Sequence, residues 1–158
     1  MSNKINYKLI MAWLGNEGTG TSGYKHYKRD FVVVGEGKPP ISGSSDVHFL
    51  GDIEKYNPEE MLLMSVSSCH MLWFLHLCAV SDVVVSEYSD EPTGVLEIFA
   101  DGGGKFSEIT LRPIISIIGQ PSIEQLNSLQ EKANKLCFIA NSLNIKIDHQ
   151  PGYFFTEL

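Results

Sequence analysis

The chemistry of this chain rests on cysteine: Cys69, Cys78 and Cys137 are its three. Cys69 lies in Ser65-Val66-Ser67-Ser68-Cys69-His70, small polar residues within a long apolar stretch. Serine at three of the four preceding positions lowers helix propensity and core hydrophobicity, where a purely structural core would use Leu or Ala. Two readings of Cys69 stay open on the local sequence. One is a buried inert thiol, since cysteine is among the most buried residue types. The other is a reactive thiol, which acts as its thiolate and needs a positive charge beside it. The dipole of the helix does not supply that charge, because it fades within the first turn and Cys69 lies three turns in.

The candidate cations are few. His70 and His76 share a helix with Cys69, but adjacent helical residues point about 100° apart, which turns His70 away from the thiol. Lys25, Lys28 and Arg29 come from an earlier segment. Glu59 lies about 15 Å from Cys69 along a straight helix. Glu59 and Glu60 therefore act on Cys69 only by orienting an arginine or across a subunit interface. Their other reading is as first-turn acids that complement the helix dipole. Cys137, in Lys135-Leu136-Cys137-Phe138-Ile139, is a core filler by itself. It becomes a partner thiol if its Cα comes within about 6 Å of that of Cys69. Cys78 falls on the far side of the Cys69 helix and reads as structural. The histidines His26, His48, His70, His76 and His149 form no pair at metal spacing with a third ligand, and there is no CxxC, so no metal is expected.

The elements that must position these residues follow from pattern. Ile5–Leu14 and Phe31–Val34 read as strands. The Gly15–Gly20 run lacks the Lys-Ser/Thr ending of a phosphate loop and reads as a turn. Gly35–Ser45 reads as a loop. Asn57-Pro58-Glu59-Glu60 is a helix start, with Asn57 as N-cap and Pro58 at the first helical position. The helix runs to about Val80 and is apolar nearly all round, which predicts burial at the axis of the domain and in a subunit interface. Val83–Tyr88, Thr93–Ala100 and Lys105–Ile118 read as a three-strand meander. Ser122 caps a second helix with an apolar stripe of Leu126, Leu129, Ala133, Leu136 and Ala140, and Cys137 falls near its end. Ile145–Asp148 is a final strand, followed by a turn at Pro151-Gly152. The prediction is one α+β domain over 1–158, with antiparallel sheets around a long buried central helix.

The chain has 158 residues, 43% hydrophobic and 20% charged, the composition of a soluble globular protein. No window is expected to reach the roughly 18 apolar residues of a membrane span. Met1–Tyr7 is too polar for a signal peptide, so a cytoplasmic location is expected. The net charge of −7 argues against nucleic-acid binding, which needs a basic face. An odd, small number of cysteines does not form a secreted disulfide framework.

The run Tyr56-Asn57-Pro58-Glu59-Glu60-Met61-Leu62-Leu63, followed by Ser65 to Cys69-His70-Met71-Leu72, resembles the OsmC/Ohr family (osmotically induced and organic hydroperoxide resistance proteins). That family opens a long central helix with Asn-Pro-Glu-Glu-Leu and places its peroxidatic cysteine ten residues after the first Glu. Cys69 is ten residues after Glu59. A second family cysteine lies on a later helix, where Leu136-Cys137 stands. Ile41-Ser42-Gly43-Ser44-Ser45-Asp46 and Gly51-Asp52 look like the OsmC-like branch. The resemblance covers most of the chain.

It implies an OsmC-like fold in an intertwined homodimer, and a thiol peroxidase that needs no metal, haem or flavin. Cys69 would be oxidised to a sulfenic acid by an organic hydroperoxide, and Cys137 would condense with it. A dithiol reductant of the lipoyl type would reopen the disulfide. Met61, Met64, Trp73 and Phe74 would line an apolar substrate pocket. The family pairs the helix-start Glu, here Glu59, with a catalytic Arg. Leu50 stands where OsmC-like relatives often carry that Arg, which leaves Arg29 as the candidate, with His48 and His70 as alternative cations and Glu60 auxiliary. Phe138 follows Cys137 in place of the family's frequent Pro. The competing reading is a non-enzymatic OsmC-like dimer that binds a hydrophobic ligand or senses oxidants through Cys69. A cysteine hydrolase using His149 or His70 lacks any triad or oxyanion motif.

Overall fold

The computed structural model describes residues 3–157. They divide into two compact units, one ending at Met61 and the other starting at Leu62. The first holds an antiparallel sheet of β1 (Ile10–Trp13), β2 (Phe31–Val34) and β3 (Ile41–Gly43), in that order. The strand expected over Ile5–Leu14 is confined to its centre, and β3 lies in the segment expected to be a loop. A 3-10 turn over Val47–Phe49 follows, capped by Asp46 through the His48 N–H.

The helix start is a reciprocal cap. Asn57 Oδ1 accepts the Glu60 N–H at 2.8 Å, and the Glu60 carboxylate accepts the Asn57 N–H at 3.0 Å. Two donors that the first turn would leave orphaned are thereby satisfied. Helix α1 then runs Pro58–Ala79, as its pattern predicts. Val66, His70, Phe74, Leu77 and Cys78 are its buried residues, one stripe at steps of three and four. The expectation of burial on most sides holds only for that stripe, since Met64 is 47% and Leu72 62% exposed in the single chain. By length and composition α1 is also apolar enough to cross a membrane, with a mean hydropathy of 1.5, contrary to the expectation that no such window exists. Here its apolar stripe builds the core of the second unit.

That unit contains two three-stranded sheets and helix α2 (Ile123–Leu136). One sheet has the order β4 (Val84–Asp90), β7 (Pro113–Ile118), β9 (Gly152–Thr156). The other has the order β5 (Thr93–Ile98), β6 (Gly104–Leu111), β8 (Ile147–His149). The expected meander holds for β5 and β6, which pair antiparallel, but β4 pairs with β7 and not with β5. Lys105–Ile118 is not one strand but two, broken at Arg112 and delivered to different sheets. Pro113 opens β7 and has no N–H to donate. The Arg112 N–H leaves the ladder for the Asp90 carboxylate at 2.6 Å. The expected all-antiparallel sheets are also corrected: β6–β8 and β7–β9 run parallel, so both sheets are mixed.

Two apolar clusters hold this unit. Phe74, Leu77 and Cys78 of α1 meet Ile115 and Ile117 of β7 and Leu126, Leu129 and Ala133 of α2. Val66 of α1 meets Ile109 and Leu111 of β6 and Ile147 of β8.

Candidate active site

Cys69 stands three turns into α1 and is partly exposed. Cys137 is the C-cap of α2 and is 1% exposed. Leu126, Leu129 and Ala133 fix the rotation of α2 by burying its inner stripe. The helix stops at Leu136 because Cys137 turns to extended backbone, with ψ 111°. Asn141 Nδ2 then bonds the Lys135 carbonyl at 2.9 Å, satisfying one of the acceptors a helix end leaves open. This end geometry brings the two thiols near each other: both are free, and the Cys69 side chain is close enough to act on the Cys137 thiol. Burial pushes the Cys137 thiol up to about 11, and the Cys69 thiol adds to that. The N–H groups of Ala140, 3.3 Å from the Cys137 sulfur, and of Ile139 pull the other way.

A cleft of about 330 Å³ opens on Cys69 and is lined by Cys69, Leu72, Trp73, His76 and Phe138. Trp73 meets Phe138 edge-on at 5.6 Å between ring centroids and His76 at 5.7 Å. Of the residues expected to line a substrate pocket, Trp73 does. Phe74 is fully buried in the core beside Leu77 and Ile115, which leaves it no face to this cleft. Met61 is half-buried and Met64 is 47% exposed, and neither is among the five lining residues. Leu72, His76 and Phe138 were missed. Their signal was present: Leu72, Trp73 and His76 follow Cys69 at three, four and seven residues, one helical face, and Phe138 adjoins Cys137.

The expected cations are engaged elsewhere in part. In the first unit, the Arg29 guanidinium donates to the carbonyls of Tyr27 at 2.5 Å and Tyr24 at 2.6 Å, and stacks on both rings. His48 is exposed and bonds Asp46 at 2.6 Å through Nδ1. That contact and the His48 N–H hold the Asp46 carboxyl below its usual range. Glu60 closes the helix cap, and Glu59 is half-buried in the same turn.

His70 is 1% exposed, bonds Gln130 Oε1 at 2.5 Å and stacks on His149 at 4.3 Å. Burial pushes its imidazole down, and the bond to Gln130 only partly opposes this, which counts against His70 as a cation. Cys78 is buried, and burial pushes its thiol up to about 11, as befits a structural cysteine. Among the described residues, no group of three or more His, Cys, Asp or Glu is placed to hold a metal ion.

Two mixed sheets, a long apolar helix and two neighbouring thiols, one of them at an aromatic cleft, define an α+β protein with a candidate cysteine site. The family model for OsmC-like proteins matches residues 51–150, and the chain belongs to that family. A solved OsmC-like protein of unknown function from Vibrio cholerae is 27% identical, with a TM-score of 0.85, over 94% of this chain and 99% of that one. An organic hydroperoxide resistance protein from Elizabethkingia anophelis has a TM-score of 0.71 at 18% identity, over 96% and 100%. An OsmC-like protein from Mycoplasma pneumoniae has a TM-score of 0.74 at 15% identity, over 96% and 99%. Among curated proteins, none matches the chain.

Proposed function

We propose that this protein is a thiol peroxidase that reduces organic hydroperoxides to alcohols, working as a cytoplasmic homodimer in which the two units form one OsmC-like domain. The observation that carries this reading is the nearness of Cys137 to Cys69, whose thiol borders an apolar cleft. The Cys69 thiolate attacks the distal peroxide oxygen. An S–O bond forms, the O–O bond breaks, and the departing alkoxide takes a proton and leaves as alcohol. Cys137 then attacks the Cys69 sulfenic acid, forming the disulfide and releasing water. An external dithiol restores both thiols and is itself oxidised to a disulfide. No bound cofactor enters the cycle.

The lining of Leu72, Trp73 and Phe138 favours an alkyl or aryl peroxide over hydrogen peroxide, because burying apolar surface contributes about 25 cal/mol per Å². Arg29, oriented by Glu59, serves the peroxide once it leaves Tyr24 and Tyr27. Its local bonding favours the competing reading, a dimer that senses oxidants or binds an apolar ligand without turnover. Stopped-flow consumption of cumene hydroperoxide by the reduced protein separates them. Wild type is expected to exceed Cys69→Ser by at least about a hundredfold, the scale of one lost catalytic group. Equal rates would sink the peroxidase, and full rate in Arg29→Ala would remove only the role given to Arg29.

A further inference from the structure

The disulfide of the oxidised protein has two sulfurs, and the fold treats them differently. Cys137 is 1% exposed, at the C-terminal end of α2. Cys69 is partly exposed and borders the cleft lined by Leu72, Trp73, His76 and Phe138. Thiol–disulfide exchange is an in-line displacement, so the attacking thiolate must approach one sulfur from the side opposite the other. Such an approach to Cys137 would come through buried protein. An approach to Cys69 comes through the cleft.

We propose that the reducing thiol attacks the sulfur of Cys69, entering through the cleft that Leu72, Trp73, His76 and Phe138 line, and that Cys137 is always the leaving group. This rests on the peroxidase reading and adds which sulfur is attacked. The incoming thiolate forms an S–S bond to Cys69 while the Cys69–Cys137 bond breaks, and Cys137 departs with the electron pair. The N–H of Ala140 already donates to its sulfur at 3.3 Å and receives the new charge. Cys137 then takes a proton from water. The second thiol of the reductant then displaces the mixed disulfide on Cys69, leaving Cys69 reduced and the reductant as a cyclic disulfide.

The test uses the full chain, oxidised in one arm with cumene hydroperoxide and in another with diamide, with N-acetylcysteine as the monothiol probe. Acid quenching, alkylation of free thiols and peptide mass spectrometry then locate the adduct. At least a tenfold excess of adduct on the Cys69 peptide is expected, with Cys137 alkylated. Adduct on Cys137, or an even split, overturns the proposal, as does failure of both oxidants to form the disulfide. A disulfide that forms with diamide but not with the peroxide removes the peroxidase reading, while the adduct position still decides the inference.

Discussion

At the scale of single residues, the helix cap and the buried imidazoles make separate predictions. Asn57 and Glu60 each hold a backbone N–H of the first turn of α1. Asn57→Ala is expected to lose about 1 kcal/mol of stability, read as a lower urea midpoint with an unchanged m-value. His149 is half-buried beside His70, and its imidazole is pushed from an ordinary value of 6.5 down to about 4, by burial first and by His70 second. Asp148 opposes this shift and Lys146 adds to it. Because the folded value lies below the unfolded one, the unfolded chain takes up this proton first as the pH falls. The contribution is complete above about 6.5 and is lost as the pH drops toward 4. Thermal midpoints measured between pH 7 and pH 4 should therefore fall in wild type, and fall less steeply in His149→Gln. A parallel decline in both proteins would contradict the assignment. Asp46 and Asp52, also shifted down, act below that window.

At the scale of elements, α2 has two duties: it seals the larger core cluster, and its C-terminal end carries Cys137. Leu126 is fully buried against Phe74 and Ile117 in that cluster. Leu126→Ala is expected to cost about 2–5 kcal/mol by loss of burial and opening of a cavity, measured by urea denaturation. Asp90 ties two other elements together. It accepts the Ser67 hydroxyl from α1 at 2.6 Å and the Arg112 N–H at the break between β6 and β7, also at 2.6 Å. Asp90→Ala would leave the Arg112 N–H without that acceptor, at a cost of about 1–3 kcal/mol. A change below 0.5 kcal/mol would mean that water takes over both bonds.

At the scale of the whole molecule, several large apolar side chains on strands are exposed in the single chain. In the first unit Ile10 is 64% and Met11 68% exposed. In the second, Ile98 is 58% and Phe154 59% exposed. Burying such side chains against a second copy would favour the proposed homodimer. Sedimentation velocity is expected to give twice the chain mass of 17.6 kDa. A monomer at micromolar concentration would contradict the dimer.

Local sequence determined the start of α1 through Asn57-Pro58-Glu59-Glu60, the cap of α2 at Ser122, and strand β2, because caps and alternation act within a few residues. It also carried the family resemblance and the choice of Cys69. Three things were decided only by the tertiary structure. The pairing of β4 with β7 depends on where the chain changes sheets at Arg112-Pro113, a choice set by packing on α1 and α2 and by Asp90. The parallel partners β8 and β9 lie far from β6 and β7 in sequence, and no local pattern encodes that proximity. The meeting of Cys69 and Cys137 needs two helices, the Leu126–Leu129–Ala133 stripe and the turn at Leu136 to agree in space. Sequence shows which thiols the chain has, but the distance between two of them is a property of the core that holds their helices.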